Sequence, residues 1–488
     1  MNWKLAPLAL VVSLPGCGGT QTPTSVPEPT AAPTVVVTSA RWEAPLPVAD
    51  AGERPFSRCS PFTTTQCRLF YGQTGPAVAV SARGQTVALW QRYEGDGFRL
   101  VGSRLTSAGA WSEAERVTPE TSVRSQQVFV DASGNAVAQW VDAGGAATSF
   151  GAAAGGWSPR QTAEPAEHFV MDEKGTLHSL FTRWREGLFW SRQSPGGAWS
   201  EAVMLQGQGP EAHPFIRDPR LAVTRGGTLQ AVWVREFQSS VREEEWDEVW
   251  SSRMRPGQAW TTPTLIARFP RGWALSLGMA ASDPGALTSY LLWDGRDSHQ
   301  VMEQHQAGGS NATPGDWTPP APVSEPTPPP PAVRRADLTV VAADPRGTLT
   351  LAWTEVTYGP SEGSRYEIHA RRFSAAAGAW EHAQRIESKP GFLHDLFDLH
   401  VAASAAGDAV VLWVEQSVSD FGHRMWASVF VPGGGWSAPQ AIRDAQLMSE
   451  PALAMDGQGN AIVMWSEPEG DRTRIWSARL SATTAPAP

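Results

Sequence analysis

Cysteine is scarce in this chain, three in 488 residues, and so is tyrosine, at five. No Cys-pair ligand set for a metal is present, no Gly-rich phosphate loop, and no nucleophile elbow. Basic residues are outnumbered, 39 Lys and Arg against 49 Asp and Glu. The net charge of -10, the pI near 5.6 and the lack of any long run of like charge exclude a nucleic-acid or anionic-membrane surface. Long hydrophobic runs are missing too. The apolar stretch from Leu5 to Leu14 is too short to span a bilayer as a mature helix, and it is interrupted by Pro7 and followed by Pro15.

That N-terminus reads as an export signal. Its ending, Leu14-Pro15-Gly16-Cys17, resembles the lipobox of bacterial lipoproteins, and the resemblance implies that residues 1–16 are removed and Cys17 carries the lipid. With Cys17 so used, Cys59 and Cys67 remain as a pair, expected to form a disulfide in an exported protein. Residues 17–40, rich in Pro, Thr, Ser and Ala, cannot bury a core and are expected to act as a disordered tether. The folded body is expected over 41–482, with a disordered tail at 483–488.

What the chain has in abundance is tryptophan, 23 residues, and a repeat. Gly is followed six residues later by Trp at Gly84/Trp90, Gly134/Trp140, Gly227/Trp233, Gly347/Trp353, Gly407/Trp413 and Gly459/Trp465. Two weaker copies, Gly175/Phe181 and Gly285/Leu291, complete a series of eight. A period of this size marks a solenoid, a propeller or an array. Alternating apolar runs flank each Gly, as in PALAMD and NAIVMWS, which is the period of strands. Asp131, Asp172, Asp344 and Asp456 stand three residues before their Gly, where a tight hairpin wants an Asx side chain and a positive φ.

A third strand follows in each unit (VGSRL, FWSRQ, WSSRM, IHARRF, WASVF, WSARL), and a fourth begins at Trp111, Trp157, Trp199, Trp260, Trp317, Trp380 or Trp436. Four antiparallel strands in about fifty residues make a propeller blade. The last unit lacks a fourth-strand Trp, whereas Arg41-Trp42-Glu43-Ala44-Pro45 at the other end has the matching look. The sequence therefore predicts an all-β fold: a single propeller of eight four-stranded blades, with seven as the fallback, closed by the N-terminal strand around Trp42. Eighteen of the 23 Trp fall at periodic places, so the aromatic content is read as architecture.

Many units carry an acid two or three residues past the Trp: Asp142, Glu236, Glu355, Glu415 and Glu467. Arg104, Arg192, Arg253, Arg371 and Arg479 recur in the third strand and are expected to face some of these acids as cross-strand ion pairs. Candidate ligand residues lie in the loops that enter the innermost strands and join the second to the third: His213, Arg217, Asp218, Glu243, Glu244, Asp247, His394, Asp395 and Asp398. No spacing among them fixes a metal geometry, and no metal or cofactor is expected.

The blades resemble the bacterial neuraminidase repeat and sialidase-type propellers over nearly the whole chain after residue 40. The Asp-box of that family puts Trp three after Gly rather than six, and Phe215-Ile216-Arg217-Asp218-Pro219 has its Arg-Ile-Pro in the wrong order, so no catalytic residue carries over. The leading reading is a lipid-anchored, monomeric, non-enzymatic binding or scaffold protein for an envelope protein or glycan. Its place is the bacterial envelope, at the outer membrane or cell surface rather than the inner membrane, touching membrane through the anchor alone. The alternative is a glycoside hydrolase or lyase with Asp218, Glu243 and Asp395 at the mouth of the ring.

Overall fold

The computed structural model describes residues 40–53, 75–94, 97–120, 122–164, 166–207, 215–237, 246–270, 277–282, 287–293, 301–305, 317–323, 333–344, 346–359, 363–374, 377–390, 394–417, 422–449, 451–469 and 472–481. Cys17, Cys59 and Cys67 lie outside them. Among the described residues every regular element is a strand, and the strands form eight antiparallel sheets.

Blade 1 comprises Ala77–Val80, Thr86–Tyr93, Phe98–Arg104 and Glu115–Arg116, running from the innermost strand outwards. Blade 2 is Arg124–Val130, Ala136–Asp142, Gly145–Gly151 and Gln161–Thr162. Blade 3 is His168–Met171, Leu177–Arg183, Gly187–Gln193 and Val203–Gly207. Blade 4 is Phe215–Val223, Leu229–Phe237, Trp246–Met254 and Thr264–Pro270. Blade 5 is Gly278–Ser282, Leu287–Trp293, Val301–His305 and Ala321–Pro322.

In blades 6 and 7 the outer position is split into two pieces. Blade 6 is Val333–Ala343, Leu349–Gly359 and Gly363–Ser374, with Ala379–Trp380 and Gln384–Pro390 outside. Blade 7 is His394–Ala403, Ala409–Ser417 and His423–Val431, with Gly435–Trp436 and Gln440–Ala445 outside. Blade 8 joins the two ends of the chain: Ala452–Met455, Ala461–Glu469 and Arg472–Leu480 are completed by Leu46–Glu53. Each innermost strand neighbours the next around the series, and that of blade 8 neighbours that of blade 1, so the ring is closed.

The hairpin chemistry is as the sequence implies. Asp131 Oδ1 accepts the backbone N–H of Ser133 and Asn135 at 2.8 and 2.9 Å, and Asp172, Asp344 and Asp456 do the same two and four residues on. The Gly that follows takes φ between 79 and 96° in these four turns, a region costly for a residue with a Cβ.

No single core fills the molecule. The second strands of blades 1, 2, 7 and 8 are buried on both faces because each is sandwiched between two blades. Trp90 packs with Ile462, Met464 and Ile475 of blade 8, while its neighbour Leu89 packs with Trp140 and Ala138 of blade 2. Trp90, Trp140, Trp233, Trp353, Trp413 and Trp465 are the largest fully buried side chains, with Phe181 in the weaker third copy. The repeat is thus the wedge that fills the space between sheets.

Candidate functional site

The acids past the Trp find partners other than the expected ones. Side chains two apart in a strand share a face, so the indole N–H of Trp140 reaches Asp142 at 2.8 Å, that of Trp353 reaches Glu355 at 3.0 Å, and that of Trp465 reaches Glu467 at 2.6 Å. The balancing cations come from the outer strand or the segment leading to it: Arg160 on Asp142, Lys389 on Glu415 and Arg443 on Glu467. Glu236 instead takes Arg217 of the innermost strand. Burial works to raise the Asp142 carboxyl, but hydrogen bonds from Arg160, Trp140 and the Gly144 backbone, with the Arg160 charge, hold it below its ordinary range.

The third-strand arginines have a different task, and the expectation of cross-strand pairs with those acids is corrected. Arg104 crosses to blade 2 and donates to the carbonyls of Gly134, Gly151 and Ala152 at 2.7, 3.2 and 2.8 Å. In blade 6 the equivalent residue is Arg372 rather than Arg371, because it is Arg372 that stands opposite Thr350 as Arg104 stands opposite Val87. Arg372 donates to Gly407 of blade 7 at 2.9 Å and lies 3.8 Å over the Phe430 ring. These guanidinium groups plug the grooves between blades 1 and 2 and between blades 6 and 7.

The groove between blades 3 and 4 is open. It holds a cavity of about 900 Å³ lined by Asp172, His178, Trp190, Arg192 and Glu201 of blade 3 and by Arg225, Pro256 and Trp260 of blade 4. Two local departures from the repeat explain it. In FWSRQ the residue that opposes Phe181 is Phe189, so Trp190 opposes Leu180, whereas Trp250, Trp426 and Trp476 oppose Trp233, Trp413 and Trp465. That offset of one residue turns Trp190 to the opposite face of its sheet, towards blade 4. In blade 1 the corresponding place is Gly102, on which Trp157 sits so closely that an added Cβ would lie 3.1 Å from its ring. Where Gly102 admits a ring, Trp190 holds Trp260 off, and the two rings meet edge to face with centroids 5.7 Å apart.

Arg192, opposite His178, occupies the place that Arg104 and Arg372 hold. It stays exposed, and its guanidinium makes no hydrogen bond among the described residues. Trp190 and His178 are more than nine-tenths buried, at 6 and 5% exposure, yet among the described residues the Trp190 indole N–H and His178 Nδ1 have no hydrogen-bond partner, and neither has the Trp260 indole N–H. His178 stacks on Trp190, and its Nε2 lies 3.5 Å from Asp172. Burial raises the Asp172 carboxyl; hydrogen bonds from His178 and the Thr176 backbone, then the His178 charge and the Lys174 backbone, outweigh it and keep the group ionised below its ordinary range. Across the mouth, Arg225 and Glu173 pair at 3.0 Å, both exposed. The cavity opens among the first and third turns of its two blades, at the end away from the turns that join second to third strands.

The residues picked from the sequence lie elsewhere. Arg217 and Asp218 sit at a bulge in the innermost strand of blade 4, Asp218 with φ of 48°. Arg217 faces three carboxylates: Glu236 at 2.5 Å, Asp218 at 3.1 Å and Asp247 at 3.3 Å. Asp247 is fully buried, facing into the blade. Asp398, at a bulge in the innermost strand of blade 7, is 3.0 Å from His400. The structure thus brings Arg217, Asp218 and Asp247 together and places Asp398 in another blade. His213, Glu243 and Glu244 lie outside the described residues, as do the side chains of His394 and Asp395, whose backbone begins the first strand of blade 7.

No protein-family model matches the chain, and no curated protein matches it. Among solved structures it is similar to the BP39L lectin from Burkholderia pseudomallei, at 16% identity over 77% of this chain and 100% of that one, with a TM-score of 0.45. It is also similar to a protein of unknown function from Dyadobacter fermentans (10% identity, 84 and 96% covered, TM-score 0.36) and to a PL25 ulvan lyase (9%, 83 and 94%, 0.41). These likenesses carry no activity to this chain.

Proposed function

We propose that this protein is a non-enzymatic binding propeller of the bacterial envelope, held to a membrane by lipid on Cys17, and that it takes a glycan in the groove between blades 3 and 4. One observation carries the reading: an open cavity lined by Trp190, Trp260 and His178, behind whose surface two indole N–H groups and an imidazole nitrogen have no partner among the described residues. An unmet buried polar group costs about 1–3 kcal/mol, and a ligand rich in hydroxyls meets several such groups at once. The half-buried Trp260 ring gives the lining apolar surface for a sugar ring, while Arg192, Asp172 and Glu201 supply donors and acceptors at the rim. Charges of both signs around the mouth suit a neutral glycan. The hydrolase alternative has less support, since Asp218 already faces Arg217 and Arg220.

The test is a glycan array with the full-length protein, followed by titration of the best ligand. Arg192→Ala and Trp260→Ala are expected to weaken binding about tenfold or more with the far-UV spectrum unchanged. An array without a single bound glycan, or binding indifferent to both changes, overturns the reading. Replacing Cys17 by Ala is expected to move the protein from the membrane fraction to the soluble one, and unchanged sedimentation removes the anchor.

A further inference from the structure

Blade 6 departs from its neighbours at two places that face each other. In blades 7 and 8 the inter-blade Trp is opposed by a second Trp and the acid two residues on by an arginine: Trp413 by Trp426 and Glu415 by Arg424, Trp465 by Trp476 and Glu467 by Arg474. In blade 6 Trp353 is opposed by His369 and Glu355 by Glu367. Two like charges directly across a ladder repel, and these two carboxyls are nearly buried, at 2 and 8% residue exposure. The pattern of blades 7 and 8 has been exchanged for an unfavourable one, and what the exchange yields is a cluster of two carboxylates and one imidazole.

The cluster is ordered in the way a ligand set is ordered. Each carboxylate has one oxygen held by a fixed donor: Glu355 Oε1 accepts the Trp353 indole N–H at 3.0 Å, and Glu367 Oε1 accepts Arg385 at 3.1 Å and the Ser388 hydroxyl at 3.2 Å. The other oxygens face His369 Nε2, at 3.5 Å from Glu355 and 3.2 Å from Glu367. The imidazole is itself fixed by stacking on Trp353, with centroids 5.4 Å apart and planes 14° apart. One ligand atom from each of the three residues lies within 4.8 Å of the other two. Bonds of 2.0–2.1 Å to a tetrahedral ion set neighbouring ligand atoms about 3.3 Å apart, which is the spacing found to either side of Nε2. Outer donors that orient carboxylate ligands are the usual second layer of such a centre.

We infer that Glu355, Glu367 and His369 form a binding site for a divalent cation of the zinc class. A mixed set of one nitrogen and two oxygens suits such an ion better than calcium, which takes six to eight oxygens. The three side chains supply three ligands, and a fourth would come from water or an outside ligand.

Zn²⁺ titrated calorimetrically into the metal-free full-length chain is expected to bind at one equivalent, and Co²⁺ in its place to develop the intense visible bands of a four-coordinate ion. His369→Gln and Glu355→Gln are expected to abolish both signals, and Ser388→Ala to weaken binding about tenfold. His369→Trp, which writes the residue of blades 7 and 8 into blade 6, keeps the test decisive if the other variants fold poorly: it is expected to hold the fold and lose the metal. No uptake by the wild-type chain would make His369 a plain bridge between two carboxylates and overturn the assignment. Uptake that survives His369→Gln or His369→Trp would place the ion elsewhere and overturn it equally.

Discussion

At the scale of single residues, the repeated Trp and acid form one structural device. Glu467 accepts the Trp465 indole N–H and both nitrogens of Arg443 at 2.6 Å, in a place 6% exposed. Glu467→Ala leaves a buried indole donor and a guanidinium without their acceptor and is expected to cost about 2–3 kcal/mol in urea unfolding, with Glu467→Gln costing less because an acceptor oxygen remains. A Glu467→Ala midpoint equal to that of the wild type would remove this account of the acid. The serine that follows four of the eight outer Trp residues is a second device: the hydroxyl of Ser112 donates to the Glu113 carbonyl and accepts the Arg104 backbone N–H at 3.0 Å, and Ser158 and Ser437 repeat the arrangement. The Gly, the Asp and the Trp were legible because each recurs at a fixed distance from the others. Trp190 was not, because Phe189 beside it is also aromatic and only strand pairing tells which of the two keeps the register. The same ambiguity hid Arg372 beside Arg371.

At the scale of elements, blades meet through a few polar links set in an apolar layer, and one of them titrates. His168 starts the innermost strand of blade 3, and its Nδ1 accepts the backbone N–H of Leu221 in blade 4 at 3.3 Å. Burial, helped by the charge of Arg220, lowers its pKa to about 4 from the ordinary 6.5. Between those values the unfolded chain binds a proton that the folded chain does not, so stability rises with pH across this window. The contribution is complete above pH 6.5 and is lost as pH falls towards 4, by an amount on the order of 3 kcal/mol. His168→Gln, neutral throughout, is expected to flatten this part of the stability profile. A wild-type profile already flat from pH 6.5 to 4.5 would show that His168 is solvated in the folded state. Strand pairing of this kind also explains why the Glu355, Glu367 and His369 cluster escaped the sequence: its members are neighbours only across a long hairpin, and blade 6 had to be set beside blades 7 and 8 before its two exchanges stood out. The cavity of blades 3 and 4 is harder still to read, since it is made by what fails to fill a groove.

At the scale of the whole molecule, the ring depends on its two ends meeting. Leu46–Glu53 pairs with Arg472–Leu480, Leu46 opposite Ser477 and Pro47 opposite Trp476. Trp42 bridges to Leu480 as Trp111 does to Leu105, Trp157 to Gly151 and Trp199 to Gln193, which makes it the outer Trp of blade 8, as its sequence context implied. It is 9% exposed and packs in the layer between blades 7 and 8 with Val463 and Trp465, while Glu43 holds Arg479 at 3.1 Å. The segment therefore acts as a clasp: without it the strand Arg472–Leu480 becomes an unpaired edge, and the layer on blade 7 loses its largest outer side chain. Trp42→Ala is expected to destabilise the protein by about 3–5 kcal/mol, the range for emptying a buried Trp site. Deleting residues 41–53 is expected to go further, lowering the melting temperature and opening an edge through which two copies pair, so that light scattering gives a larger mass than for the intact chain at the same concentration. Supplying residues 41–53 as a separate peptide should restore the melt in proportion to its concentration. A deletion variant that melts with the intact protein and gives no larger mass would show that the ring holds without its clasp.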